Sequence, residues 1–309
     1  LPGPIRFFFW FRAVTAPMPE TPISSEAFAQ AVDRIALQRG PVVVKLGGSA
    51  MEDPAATDAC LRSVAVLHRL GIPIVLVHGG GKPIDRAMAD AGLVPRKVAG
   101  RRYTDEATLK IVVKVLGDIN RDLAVRLNAL GVKASALIDE PRFPLGAVKL
   151  QLIQDGKPVD LGLVGDICNH DEEGLRRRLK EAEEIPVIPS IATWSDYSDG
   201  RWLNINADTA ASAVAGALQA EKAIFLTDTP GVLRDRKDPA SLIPKLTEAE
   251  CRTLIAEGVI AGGMVPKVEA CFEALAAGAK SAIIADGREP FSLLGVFLHD
   301  SFPGTEITQ

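Results

Sequence analysis

The chain has little of what metal, redox or nucleic-acid proteins require. Its four cysteines, Cys60, Cys168, Cys251 and Cys271, form no C-x-x-C pair, which leaves neither a zinc site nor a dithiol motif. They read instead as small core residues of a protein kept in a reducing compartment, the cytoplasm. The four histidines, His68, His78, His170 and His299, lack metal-ligand spacing, so no metal ligand is assigned. Basic residues are not in excess: 35 lysines and arginines face 39 aspartates and glutamates, a formal net charge of −4. That balance argues against nucleic acid and anionic membrane as partners, since both reward a basic surface. The aromatic run Phe7-Phe8-Phe9-Trp10-Phe11 is broken by Arg12. It is too short to span a bilayer or to serve as a signal-peptide core. Residues 1–17 are therefore set aside, and Met18 opens a more ordinary segment. Two phosphate-binding fingerprints, G-x-x-x-x-G-K-[ST] and G-x-G-x-x-G, are also missing, which weakens the P-loop and dinucleotide readings. A small molecule or another protein remains as the partner.

What is present is a regular alternation. Of 309 residues, 47% are hydrophobic and 24% charged, the proportions of a globular chain with ample core. From Pro41 onward, short β-branched runs alternate with Ala/Leu-rich stretches of helical period. Val42-Val43-Val44, Ile74 to Val77, Ile185 to Ser190, Ala223 to Thr227 and Ser281 to Ala285 read as buried strands, the last being the final one. Pro54 to Leu70, Gly80 to Ala91, Thr104 to Leu130, Ala207 to Ala220 and Pro266 to Ala277 read as helices, with Gly131 ending the longest. Pro141 to Asp160 reads as a hairpin region: Ala147 to Leu152, then Asp155-Gly156 as the turn. Arg176-Arg177-Arg178, beside Glu181, Glu183 and Glu184, reads as a solvated helix face. Strands and helices joined by short connections predict an α/β fold: an open, mainly parallel central sheet with helices on both faces. In such sheets ligands bind beyond the carboxyl ends of the strands.

Three glycine-rich turns, each expected to follow a strand, carry the chemistry. In Val44-Lys45-Leu46-Gly47-Gly48-Ser49, a lysine and bare backbone N–H groups can surround one anion. Alone, the same stretch is equally a tight turn with a solvent lysine. In His78-Gly79-Gly80-Gly81-Lys82-Pro83, three glycines admit close ligand approach, and the helix start behind them favours negative charge. His78 reads as a packed, hydrogen-bonded residue rather than a catalyst. In Gly262-Gly263-Met264-Val265-Pro266-Lys267, Pro266 suits a first helical turn, so Lys267 and the helix start address the same anion. Leu203-Asn204-Ile205-Asn206-Ala207-Asp208 enters the alanine-rich helix, and its Asn and Asp side chains are either N-caps or site residues.

In order, the chain presents Lys45-Leu-Gly-Gly, His78-Gly-Gly-Gly, Gly100-Arg101-Arg102, Asn204-Ile-Asn-Ala-Asp208, Phe225-Leu-Thr-Asp228 with Pro230-Gly231, and Gly262-Gly-Met-Val-Pro-Lys267. This series resembles the N-acetylglutamate kinases of the amino acid kinase family, from about Pro41 to Gly287. The resemblance implies a three-layer sandwich that phosphorylates the γ-carboxylate of N-acetyl-L-glutamate with ATP and Mg²⁺, the second step of arginine biosynthesis. Lys45 and Lys267 resemble the lysines that hold the transferring phosphoryl group, and Asp208 the carboxylate that orients both. Gly47, Gly48, Gly80 and Gly81 resemble backbone donors for phosphate and for the substrate γ-carboxylate. Arg102 matches the arginine that takes the α-carboxylate, and Asn204 the asparagine beside the α-substituents. Thr227, Asp228, Gly263 and Met264 fall where the nucleotide lies. The same resemblance implies residues 1–36 as an extension ending in a helix over 25–38, and residues 37–309 as a single domain. Its lobes are about 40–200 on the substrate side and 201–309 on the nucleotide side. It also implies a homodimer, or a hexamer where the 25–38 helix interlaces between dimers. Some relatives bind a PII-type regulator, which no residue here independently supports.

The chemistry is consistent with that assignment. A carboxylate is already a nucleophile at neutral pH, so the absence of a Ser/His/Asp or Cys/His set is expected. Two features depart from the family pattern. Arginine-inhibited members place a histidine and a glutamate where this chain has Phe291 and Val296, so tight arginine feedback is not expected. The segment 134–144 lacks the usual glycine-rich lid pattern, which leaves open a related kinase acting on another carboxylate, such as a carrier-linked aminoadipate. A non-catalytic regulatory paralogue is the remaining reading, disfavoured by the presence of Lys45, Lys267 and Asp208 together.

Overall fold

A computed structural model describes residues 25–309 apart from 39, 48, 49, 99, 155, 198, 199, 299–301 and 303. The Phe7–Phe11 run, Gly48 and His299 lie outside the described residues. The first part runs through α1 (Ser25–Leu37), β1 (Val42–Leu46), α2 (Pro54–Arg69), β2 (Ile74–His78), α3 (Gly81–Asp90), the short β3 (Lys97–Val98) and β4 (Arg101–Arg102), and α4 (Glu106–Ala129). Next come β5 (Ala134–Ala136), β6 (Leu145–Lys149), β7 (Leu152–Gln154), β8 (Lys157–Val159), β9 (Gly165–His170), α5 (Glu172–Lys180), β10 (Ile185–Pro189), β11 (Ile191–Trp194) and β12 (Trp202–Asn204). The chain ends with α6 (Ala207–Leu218), β13 (Lys222–Thr227), β14 (Lys245–Thr247), α7 (Glu248–Ala256), α8 (Val265–Ala276), β15 (Ala282–Asp286), α9 (Ser292–Leu298) and β16 (Gly304–Thr308).

Eight strands form the central sheet in the order β14-β16-β15-β13-β1-β2-β10-β5. Pairings from β5 through β15 are parallel, and only the β15–β16 pairing is antiparallel. β1 sits in the middle because both of its faces are apolar. Val42, Val43, Val44 and Leu46 are at most 1% exposed, and each such side chain contributes roughly 1.5–3 kcal/mol on burial. Val43, Val75, Val77 and Phe225 face one core with α6 and α8, while Val44, Leu46, Leu76 and Leu226 face a second core with α2 and α9. The α/β expectation is therefore met in its essential form, helices covering a mainly parallel sheet on both sides.

A second, four-stranded sheet, β12-β11-β6-β9, stands at the carboxyl end of the first. β11 continues from β10 across Ser190, whose N–H donates to the His78 carbonyl at 3.0 Å. α1 docks on α9, with Arg34 Nη2 donating to the Leu298 carbonyl at 2.8 Å.

Five expectations need correction. Cys168 is exposed, unlike the buried Cys60, Cys251 and Cys271. Ser281 to Ala285 is not the last strand: β16 follows and pairs antiparallel with β15, an apolar alternation too short to register in sequence. The hairpin is only β7–β8, closing Gln154 onto Lys157, whereas Ala147 and Val148 pair with β9. The third glycine turn follows a helix rather than a strand, because a capping box of Thr247 and Glu250 starts α7 just before it. The arginine run is not simply solvated. Arg178 Nη1 lies 2.7 Å from Glu184 Oε1 and its Nη2 2.7 Å from Glu140 Oε2, and Glu184 is buried.

Candidate active site

The central sheet delivers Lys45 between Val77 of β2 and Phe225 of β13, on the face that α6 covers. Its Nζ lies 2.8 Å from Asp208 Oδ1. Asn206 settles the capping question: its side chain accepts from Asp208 N at 2.7 Å and Thr209 N at 3.2 Å. Asn206 thus caps α6, and the Asp208 carboxylate, in the first turn where the helix dipole favours it, is left for Lys45. Gly47 packs too closely for a side chain, since a Cβ there would stand 2.7 Å from the Leu226 carbonyl oxygen.

Around this pair lies a cavity of about 250 Å³, lined by Lys45, Gly80, Gly81, Arg102, Asn204 and Asp208 among others. Arg102 is half-buried, and its Nη1 donates to Asp85 Oδ1 at 2.5 Å and its Nη2 to the Gly81 carbonyl at 3.0 Å. Asn204 is not a cap. Its amide donates to Thr104 Oγ1 at 3.0 Å, and that hydroxyl donates to the Arg102 carbonyl at 3.0 Å. Thr104 is fully buried and ties the arginine to Asn204, which lies 100 residues further along the chain from Thr104. Sequence reasoning missed it because Thr104 reads as a helix start; Asp105 is the actual cap of α4. Lys97, Arg101 and Ser190 also line the cavity and were not singled out. With Lys45, Lys97, Arg101 and Arg102 against Asp208, the lining favours a ligand carrying more than one negative charge.

A second cavity, about 320 Å³, is lined by Asp228, Gly263, Met264 and Lys267 together with Thr229, Gly231, Val232, Leu233, Arg236 and Ala261. It opens past the end of β13, the neighbour of β1. Lys267 Nζ donates to Asp228 Oδ1 at 2.5 Å, and this bond is the chief reason the Asp228 carboxyl sits below the usual range. Among the described residues Asp208 pairs with Lys45, and Lys267 pairs with Asp228. Thr227 does not line this cavity. It is buried, and its hydroxyl accepts from Thr229 N at 3.2 Å, shaping the turn that presents Asp228.

Two packed helices set the distance between the lysines' surroundings. Ser212 Oγ of α6 donates to the Ala270 carbonyl of α8 at 2.9 Å, and Gly216 abuts Ala277 so closely that a Cβ would collide. The two contacts advance together along both segments, so the helices run parallel. Pro266 lies in the first turn of α8, as expected.

Fold and site together define a class. Residues 40–286 match the model of the amino acid kinase family, and the chain belongs to that family. It is 42% identical over 284 residues to the acetylglutamate kinase of Synechococcus sp. (strain RCC307), covering 91% of this chain and 93% of the relative. It is 41% identical over 277 residues to that of Prochlorococcus marinus (strain NATL1A), covering 89% and 87%. Among solved structures, the N-acetylglutamate synthase of Neisseria gonorrhoeae complexed with coenzyme A and N-acetyl-glutamate superposes with a TM-score of 0.79 at 26% identity. That match covers 92% of this chain and spans 63% of the other. Carbamate kinase of Giardia lamblia bound to AMP-PNP shares the fold, with a TM-score of 0.59 at 20% identity over 88% of this chain and 100% of that one.

Proposed function

We propose that this chain transfers the γ-phosphoryl group of ATP to the γ-carboxylate of N-acetyl-L-glutamate, the second step of arginine biosynthesis. The observation that carries the reading is the placement of Lys45–Asp208 and Lys267–Asp228 at neighbouring strand ends, one beside a basic cavity with Arg102 and Asn204, the other beside a half-apolar cavity. The basic cavity takes the dicarboxylate, its α-carboxylate on Arg102 and its γ-carboxylate toward Gly80 and Gly81. The half-apolar cavity takes the nucleotide. A γ-carboxylate oxygen forms a bond to the γ-phosphorus as the bond to the bridging oxygen of ADP breaks and its electron pair stays with ADP. Lys45 and Lys267 stabilise charge on the transferring oxygens. Mg²⁺ is expected to arrive with the nucleotide substrate, carried on its phosphate oxygens.

The deciding experiment traps the acyl phosphate as a hydroxamate, with N-acetyl-L-glutamate against glutamate, aspartate and α-aminoadipate. Product with N-acetyl-L-glutamate alone supports the assignment. Product only with another acid redirects it, and none from folded protein with Mg²⁺-ATP favours a regulatory role. The expected assembly is a homodimer, and α1, with Val32 and Leu37 exposed, is the helix that would interlace dimers into a hexamer. Arginine is expected to leave the rate unchanged below millimolar concentration. Phe291 and Val296 replace the charged partners of a guanidinium, and Val296 is on the buried face of α9. A halved rate at sub-millimolar arginine would refute this.

A further inference from the structure

At the floor of the glycine turn lie two polar side chains that the phosphoryl-transfer reading does not use. His78 and Asn120 are both fully buried. The Asn120 amide nitrogen is 2.9 Å from His78 Nε2 and donates to the Val187 carbonyl at 2.9 Å, while its oxygen accepts from Ile138 N at 3.2 Å. That environment fixes which way the amide faces, so Nε2 of His78 accepts. The ring proton must then be on Nδ1, which donates to the Gly79 carbonyl at 3.1 Å. Burial pushes His78 down to about 4, in keeping with a neutral ring that donates once and accepts once.

We propose that His78 and Asn120 are a positioning pair that aims the Gly80 N–H into the acceptor cavity. The argument is peptide geometry. In a trans peptide the carbonyl and the following N–H point in opposite directions within one plane. Clamping the Gly79 carbonyl toward the buried ring therefore turns the Gly80 N–H away from it, toward the cavity that Gly80 and Gly81 line. Among the described residues the Gly80 N–H has no hydrogen-bond acceptor. Glycine at 79 and 80 leaves the plane free to rotate, yet packing confines it: a Cβ at Gly79 would stand 3.0 Å from Ala207 Cβ, and at Gly80 2.8 Å from Leu116 Cδ2. The side-chain clamp selects one orientation of a peptide that glycine alone would leave unspecified. Asn120 fixes the tautomer of the ring and ties it to β10 and to the turn at Leu137–Asp139.

This inference rests on reading the Gly80–Gly81 side as the acceptor site, and the test separates the two. Asparagine at 78 can place a donor where Nδ1 stands, and glutamine an acceptor where Nε2 stands. His78→Gln is expected to raise KM for N-acetyl-L-glutamate about tenfold with KM for ATP within about twofold. His78→Asn should retain at least about fivefold more of the acceptor affinity than His78→Gln. Asn120→Leu, which frees the ring tautomer, should follow His78→Gln. Amide hydrogen exchange of the peptide over 78–83 is measured in parallel without substrate, and should accelerate in His78→Gln but not in His78→Asn. Equal acceptor KM values in both His78 variants, or acceptor and ATP KM rising in step with lost thermal stability, would overturn the pair as a positioning device. If the wild type phosphorylates a different acid, the exchange result still decides the clamp.

Discussion

Lys45→Ala and Lys267→Ala are each expected to lower kcat about a hundredfold or more, the loss measured when one preorganised transition-state donor is removed. The transferring phosphoryl group spreads negative charge over its equatorial oxygens, and the protein stabilises it by placement of cations rather than by proton transfer. Each lysine here has its own carboxylate, Asp208 at 2.8 Å and Asp228 at 2.5 Å. On the proposed function, removing either ammonium subtracts a cation and leaves an unbalanced anion beside the reacting oxygens. Arginine should not restore Lys45, because a guanidinium fork is wider than an ammonium and Lys45 stands near the end of the central strand β1, close beside Gly47. Single-turnover hydroxamate formation, with thermal unfolding as the control, reads the effect. A variant that folds and retains full rate would remove its lysine from the chemistry.

Arg102→Leu is expected to raise KM for the acceptor roughly 10–100-fold with a smaller change in kcat, corresponding to charge-assisted hydrogen bonds of about 1.5–3 kcal/mol. Arg102→Lys should fall in the same direction, since it keeps the charge and loses the planar fork. The ATP constant should hardly move, because Lys267, Gly263 and Met264 line a separate cavity. Asp85 occupies Nη1 without ligand, so the acid gains the guanidinium only by sharing it with, or displacing, that carboxylate. If both KM values rise together, Arg102 supports the fold of the β3–β4 ribbon rather than the substrate.

Much of the sheet was legible because its strands are buried on both faces. β1, β2, β10, β13 and β15 each present an apolar run bounded by glycine or polar residues, which is visible without any partner. β14 and β16 were not, being short strands whose apolar residues count only once a neighbour pairs with them. Of the site, Lys45, Asp208, Gly80, Gly81, Arg102 and Asn204 line one cavity, and Lys267, Asp228, Gly263 and Met264 the other. Thr227 and Gly47 line neither cavity; Thr227 is buried, and Gly47 packs against the Leu226 carbonyl close to Lys45 Nζ.

What the sequence determined by itself is therefore the alternation of strands and helices and the identity of the groups at the strand ends. Those are local properties, set by side-chain type and spacing along a few residues. Which carboxylate holds which lysine, which asparagine caps α6, and how Thr104 and Asn120 brace the site were decided only by the tertiary structure. Each depends on a contact between segments that the sequence keeps apart, Lys267 with Asp228 across 39 residues and Asn204 with Thr104 across 100. Hydrogen bonds act over about 3 Å, and only packing brings such partners within that reach.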